Sequence, residues 1–114
     1  MSNPAVRLCP LHALEDPGSA VFALPGGSAE QQIMVIRRGD AVYGYMNSCP
    51  HTGGPLDWQP GAFLDLDRRH IQCATHDALF RIVDGECVQG PCAGQRLLAV
   101  ELRCAAGWVW YATQ

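Results

Sequence analysis

The stretches C-P-H-T-G-G-P-L at residues 49–56 and C-A-T-H-D-A-L-F at residues 73–80 carry most of the information about the fold and chemistry of this chain. Each begins with a cysteine that is followed, within three positions, by a histidine. Two thiolates and two imidazoles can hold either one zinc ion or a two-iron cluster with mixed ligands. The sequence therefore predicts a metal centre, and its four candidate ligands are Cys49, His51, Cys73 and His76.

The residues around these motifs favour iron and sulfide over zinc. Residues 52–72 separate the two motifs, and this gap of 21 residues is too long for a two-loop zinc finger. Gly53 and Gly54 let backbone N–H groups approach a ligand closely. Bridging sulfides need such donors, whereas a zinc ion with four protein ligands needs few. A structural zinc site is the alternative.

Composition limits the remaining functions. The formal net charge is −3, and the eight basic residues, all of them arginine, form no basic stripe, so nucleic-acid binding is not expected. No apolar run is long enough to span a bilayer, and the first residues lack the pattern of a secretory signal. We therefore expect a cytoplasmic protein that does not bind a membrane.

Apolar residues alternate with a period of two, which predicts an all-β domain of small antiparallel sheets. Tight turns are expected at Gly39-Asp40 and at Asp84-Gly85, because such dipeptides favour hairpins. Only residues 10–16 could form a short helical turn, since Pro10 starts this segment and Pro17 ends it. The predicted strands are 5–8, 20–24, 32–37, 41–46, 78–83, 86–88, 98–103 and 108–112.

Four further cysteines lie outside the two motifs. Cys9, Cys87 and Cys104 are expected to be small buried hydrophobes, because apolar neighbours surround most of them in sequence. Cys92 directly follows Gly90-Pro91 and is expected to be a spare thiol, not a fifth ligand. Trp108 and Trp110 alternate along the last predicted strand, so both are expected on one core face.

The two motif stretches, 49–56 and 73–80, together with the later pair Gly90-Pro91, resemble the Rieske iron–sulfur family. The resemblance covers roughly residues 5–112. A C-x-H motif followed by a C-x-x-H motif is highly specific to that family.

The resemblance implies a single Rieske-like domain over residues 1–114, built of small antiparallel sheets with a cluster-binding part, about 47–92, at one tip. It implies a [2Fe–2S] cluster, with the turn Gly90-Pro91 forming a third loop that covers it. The implied ligands are Cys49 and Cys73 on the inner iron, and His51 and His76 on the outer iron.

The chain departs from the quinol-oxidising branch of that family. In that branch each ligand loop carries an extra cysteine, and the two form a disulfide; Gly54 and Thr75 stand at those positions here. The branch also places a serine and a tyrosine near the cluster, where this chain has Asp77 and Phe80. Because Phe80 has no hydroxyl to donate and Asp77 adds negative charge, we expect a potential near the low end of the family, roughly −150 mV.

The function implied by the resemblance is that of a soluble one-electron carrier, which would pass electrons from a flavin-containing reductase to a terminal oxygenase or similar enzyme. The alternative is an accessory iron–sulfur subunit of a larger oxidoreductase, such as a nitrite reductase. Independent catalysis is not expected, because a mononuclear oxygenase iron needs two histidines and a carboxylate. Only His12 and His70 remain outside the motifs, and the chain is too short for the extra domain.

Overall fold

The computed structural model of the chain describes residues 5–50, 53–74 and 77–112. Their regular structure is almost entirely β, which confirms the predicted fold class, and a short 3₁₀ turn at Leu11–Ala13 falls in the expected helical segment. Within these ranges, no helix combines the length and apolarity that crossing a bilayer requires. The strands are β1 (Ala5–Pro10), β2 (Gly18–Ala23), β3 (Gln32–Arg38), β4 (Ala41–Met46), β5 (His70–Gln72), β6 (Leu79–Arg81), β7 (Cys87–Gln89), β8 (Ala99–Val100), β9 (Leu102–Ala105) and β10 (Trp108–Ala112).

The strands pair into three small antiparallel sheets. The first has the order β1-β10-β9, the second β2-β3-β4-β8, and the third β5-β6-β7. The predicted strands 5–8 and 20–24 both form: the first belongs to β1 in the first sheet, and the second largely overlaps β2 in the second sheet. The third sheet flanks the second cysteine–histidine motif, because β5 ends just before Cys73 and β6 begins at Leu79.

Strand β3 is buried on both faces and separates two apolar cores. Residues 33–36 have no exposed surface. Val35 packs into the smaller core, whereas Met34 and Ile36 pack into the larger one. The larger core also contains the two motif cysteines. The rigid centre of the second sheet therefore supports the loops that carry the candidate ligands.

The turn at Gly39-Asp40 forms as predicted and joins β3 to β4. Arg38 pairs with Ala41 across it. Gly39 has a φ of +66°, a left-handed conformation that glycine adopts without the steric penalty of a Cβ atom.

The turn at Asp84-Gly85 is longer than predicted. Strand β6 ends at Arg81, and the Arg81 N–H donates to the carbonyl of Glu86 at 2.9 Å, so the chain turns over residues 82–85. The Asp84 carboxylate accepts hydrogen bonds from the Arg81 side chain and from the Glu86 N–H, which stabilises this wider turn. The predicted strand 78–83 was therefore too long at its C-terminal end.

The predicted strand 98–103 is divided between two sheets. Its first part forms β8 and pairs with β4, whereas its second part forms β9 and pairs with β10. At Gly44 of β4, a Cβ atom would lie 2.7 Å from the side chains of both Val100 and Leu102. The bare backbone of Gly44 thus gives these two side chains room where the segment changes sheets.

Residues 47–97 form an excursion from the second sheet. The Met46 N–H donates to the Leu98 carbonyl at 2.8 Å, so the chain leaves the sheet and rejoins it at one place. Both motifs, the third sheet and Gly90-Pro91 belong to this excursion. The fold therefore gathers the candidate ligands and the candidate covering loop into one continuous segment.

Candidate metal centre

The two motif loops close with the same hydrogen-bond pattern. In loop 49–54, the cysteine N–H donates to the carbonyl five residues later (2.8 Å), and the cysteine carbonyl accepts from the N–H four residues later (2.7 Å). In loop 73–78, the same two bonds both measure 2.9 Å. Each chain segment therefore folds back on its own cysteine, and the described ends of the two candidate ligand loops correspond to each other.

The fifth position of each loop has a left-handed backbone. The φ angle is +80° at Gly53 and +55° at Asp77. Glycine adopts this conformation freely, and aspartate is one of the few other residues that visit it. The Asp77 carboxylate also accepts a hydrogen bond from the Gln72 side-chain amide at 3.3 Å. The sequence analysis considered only the negative charge of Asp77 and missed its left-handed conformation. The available signal was its position four residues after Cys73, which matches the position of Gly53 after Cys49.

The two motif cysteines are deeply buried and lie in loops that are tied together. Cys49 and Cys73 are 1% and 0% exposed. The Ala74 N–H, next to the second cysteine, donates to the Leu56 carbonyl at the end of the first motif stretch (2.9 Å). The first loop is thereby held in a fixed position relative to the second.

Asn47 anchors the first loop from beneath. Its Oδ1 accepts the Leu56 N–H at 2.8 Å, and its Nδ2 donates to Asp57 at 3.0 Å and to Gln32 at 3.2 Å. Asn47 is the one buried polar residue recorded among the described residues. A buried amide is costly unless it is hydrogen-bonded, so these contacts identify Asn47 as a structural support of the loop. The sequence analysis did not single it out.

The pair Gly90-Pro91 lies directly against the second loop. Gly90 has a φ of +108°, and a Cβ atom there would come within 2.9 Å of the Cα of Ala78. Only glycine fits at this distance. Pro91 is exposed. The third loop thus packs against the second motif loop at Ala78.

His51 and His76, the two candidate imidazole ligands, lie outside the described residues, and so does Thr75. Gly54 lies in the first loop, at the position where the quinol-oxidising branch has a cysteine. Among the described residues, no group of three or more His, Cys, Asp or Glu side chains has the arrangement of a metal site.

Several residues outside the motifs differ from expectation. Cys87 is buried as predicted and Cys9 is half-buried, but Cys104 is exposed, as are its neighbours in β9, Arg103 and Ala105. Trp108 and Trp110 do share a face, but it is not the core face, since Val109 between them is the fully buried residue of β10. The Arg7 guanidinium instead covers the Trp108 ring at 4.2 Å.

Cys92 is buried and close to a second sulfur. Its Sγ donates to Cys87 Sγ at 2.9 Å, and the Cys87 Sγ contacts the carbonyl of Gln89 at 3.3 Å. The pKa of Cys92 is raised to about 12. Burial is the largest cause, and the neighbouring sulfurs of Cys87 and Cys49 raise the pKa further. Burial thus favours the neutral form of the Cys92 thiol.

Tyr45 joins the second sheet to the turn after β6. Its hydroxyl donates to the Ile82 carbonyl at 2.6 Å in a buried position. Burial, then the nearby charges of Asp84 and Tyr43, raises the pKa of Tyr45 to about 12. The Arg81 guanidinium, with the Glu86 N–H, lowers the pKa of Asp84 to about 2. These contacts fix the turn that leads into β7 and the third loop.

The described part of the site fits an iron–sulfur cluster. Its two cysteine sulfurs are buried in matched loops, and thiolates are the standard protein ligands of such clusters. The loops lie in an apolar core that includes Leu56 and Phe80, and such surroundings limit the access of water to a cluster. A glycine-bearing third loop packs against the second.

Comparisons with known proteins agree with this fit. A model of the Rieske [2Fe-2S] domain matches residues 23–105. No curated protein matches the chain.

Solved structures with a similar fold include a ferredoxin and a terminal oxygenase. The ferredoxin of carbazole 1,9a-dioxygenase from Nocardioides aromaticivorans IC177 has a TM-score of 0.77 and 24% identity, and the match covers 96% of this chain and 98% of that chain. The terminal oxygenase of the same system has a TM-score of 0.77 and 18% identity, over 99% of this chain and 31% of that chain. At these identities the likeness establishes the fold. Because the family match spans most of the chain and the fold agrees with it, the chain belongs to the Rieske [2Fe–2S] family, and its cofactor is a [2Fe–2S] cluster.

Proposed function

We propose that this chain is a one-electron carrier whose cluster is bound by Cys49 and Cys73 on one iron and by His51 and His76 on the other. The observation that carries the proposal is the pair of matched loops, each closed on a buried cysteine. Each loop contains one cysteine and one histidine of the motifs, so two equivalent loops supply one complete mixed ligand set.

The protein's own residues set the conditions for electron transfer. A cluster with two thiolate and two neutral imidazole ligands supplies reversible one-electron chemistry at a higher potential than a four-thiolate cluster. The buried cysteines would bind the cluster from the core, and the hydrogen bond from Ala74 to Leu56 fixes the first loop relative to the second. Gly90 brings the third loop against Ala78 and limits water access from that direction.

We further propose that the partners are a flavin-containing reductase and a terminal oxygenase or a similar enzyme, in the cytoplasm, and that the chain has no catalytic activity of its own. The support is the whole-length likeness to the ferredoxin of an oxygenase system. One similar solved structure is a complex of reduced oxygenase and oxidised ferredoxin, with a TM-score of 0.75 and 22% identity, over 95% of this chain and 92% of that chain. Pro55 and Pro91 are exposed on the first and third loops, and we infer that they contribute to a small apolar docking surface. Redox encounters typically bury less than about 1,200 Å².

The ligand assignment is tested by histidine variants of the iron-loaded protein. We expect His51→Ala and His76→Ala to lose the electron paramagnetic resonance signal of the reduced cluster, because each would remove one ligand of the outer iron. The matched controls are His12→Ala and His70→Ala, which should keep iron, sulfide and signal. Retention of an unchanged signal in either motif variant, or zinc instead of iron in the wild-type protein, would overturn the assignment.

The carrier role is tested by its association state. A carrier should elute alone from size-exclusion chromatography and accept electrons from a flavin reductase in a turnover assay. A stable complex with a large reductase would instead identify the chain as an accessory iron–sulfur subunit.

A further inference from the structure

Cys87 and Cys92 are set together by the backbone around them, independently of the metal ligands. The Cys87 N–H donates to the Gln95 carbonyl at 2.8 Å, and the Cys87 carbonyl accepts the Gly94 N–H at 3.1 Å. These two bonds fold residues 88–95 back over the end of β7. The fold therefore brings the side chain of Cys92 to that of Cys87.

The two sulfur atoms are closer than ordinary packing requires. Their separation is 2.9 Å, whereas even the smaller non-bonded carbon atoms settle at about 3.5–4.0 Å. Both side chains are at least 98% buried. A short contact between two buried thiols, with Gly90-Pro91 looped between them, is the starting geometry for a covalent bond.

We propose that Cys87 and Cys92 form a reversible disulfide, with a low-molecular-weight disulfide of the glutathione type as oxidant. When the loop opens, one cysteine loses its proton, and its thiolate attacks the reagent to form a mixed disulfide; the released reagent thiolate takes up the proton. The other cysteine sulfur then displaces the second reagent thiol. Overall, the two S–H bonds of the protein and the S–S bond of the reagent are broken. One S–S bond forms in the protein and two S–H bonds form on the reagent, so two electrons pass from the protein to the reagent.

The bond would close a covalent ring over residues 87–92, which is the segment that packs Gly90 against Ala78. It would therefore pin the third loop to the end of β7 and limit its movement away from the second ligand loop. This consequence rests on the proposed function, whereas the disulfide itself does not. The sulfurs are buried, but residues 88–91 and 93–96 on either side are exposed, so a small reagent reaches the pair when the loop opens locally.

The chain is well suited to a direct test, because it contains arginine but no lysine. Trypsin would cut after Arg81 and Arg96 and release residues 82–96, which contain Cys87 and Cys92 and no other cysteine. The folded, cluster-loaded protein would be incubated with oxidised glutathione, quenched with acid, alkylated in denaturant and digested. We expect peptide 82–96 to lose two hydrogen atoms and to carry no alkyl group, and a later incubation with dithiothreitol to restore two alkylation sites.

Two controls separate this result from non-specific oxidation. Peptide 104–114 contains the exposed Cys104 and should gain glutathione. A sample unfolded before oxidation should give mixed adducts on peptide 82–96. If folded protein instead keeps two alkylated cysteines in that peptide, or carries glutathione on them, the proposal is wrong.

A second measurement tests the pinning of the loop. The rate at which an iron chelator bleaches the cluster should be several-fold lower after glutathione oxidation than after dithiothreitol treatment. The double variant Cys87→Ser/Cys92→Ser should show no such difference. Equal rates in the wild-type protein, with the disulfide present, would overturn the pinning and leave both the disulfide and the electron-carrier assignment standing.

Discussion

At the scale of single residues, the site depends on backbone conformations as much as on ligands. Gly53 and Asp77 hold equivalent left-handed positions in the two loops. The sequence revealed the cysteines and histidines because their spacing is local. It did not reveal that Gly53 and Asp77 are equivalent. The histidine comes two residues after the cysteine in the first motif and three residues after it in the second, so the two motifs do not look alike in sequence.

Gly53→Ala is expected to destabilise the protein by about 1–2 kcal/mol, the penalty of a left-handed L-residue. The cause would be backbone strain and not a clash, since a Cβ atom at Gly53 would meet nothing within 4 Å. Urea unfolding under anaerobic conditions would measure the free energy of unfolding.

The matched variant is Asp77→Gly, which should leave stability unchanged or raise it, because glycine relieves the same strain. A loss of stability in Asp77→Gly equal to that in Gly53→Ala would contradict the conformational role of this position.

Asp77 also permits an electrostatic prediction. Asp77→Asn should raise the reduction potential of the cluster from its expected value of roughly −150 mV, because removal of a negative charge from the second loop makes the added electron less unfavourable. A redox titration monitored by circular dichroism would measure the change, with Asp67→Asn, at an exposed position between the two motifs, as the control. A lower potential in Asp77→Asn would contradict the prediction.

Tyr45→Phe should cost about 1–3 kcal/mol, because the buried Ile82 carbonyl would lose its donor. Tyr43→Phe, on the same strand but only partly buried, is the control and should cost less. The pKa of Tyr45 is raised to about 12, so its stabilising effect is complete below about pH 10 and is lost as the pH rises through 12. The alkaline loss of stability should therefore be smaller in Tyr45→Phe than in the wild-type protein.

At the scale of elements, the local turn signal was reliable between the two long strands β3 and β4 of the second sheet. The β3–β4 hairpin follows the sequence pattern closely, because a glycine with positive φ sits between two long strands. The segment after residue 97 misled the prediction, since alternation says which residues share a face but not which sheet the strand joins. The turn after β6 was too short in prediction because its stability comes from the Asp84 side chain and not from the dipeptide alone.

The turn after β6 should be sensitive to acid. The pKa of Asp84 is lowered to about 2, so its carboxylate stabilises the fold above about pH 4 and loses this effect as the pH falls through 2. The difference in unfolding midpoint between the wild-type protein and Asp84→Asn should therefore shrink over this interval. Asp67→Asn serves as the control and should differ little from the wild-type protein throughout. A difference for Asp84→Asn that stays constant down to about pH 2 would show that the carboxylate charge is not responsible.

At the scale of the whole molecule, the sequence predicted the class of fold and the family, because the ligand motifs are specific and the period of two runs through most of the chain. It did not predict how three sheets share one chain. That arrangement depends on contacts between distant residues, such as the bond between Met46 and Leu98, which no local pattern encodes.

The hydrogen bond between Met46 and Leu98 has a further consequence. Because the two ends of segment 47–97 sit side by side, the segment can be regarded as a cassette whose removal would leave a gap that a short linker closes. A host sheet needs only two adjacent attachment points to accept it.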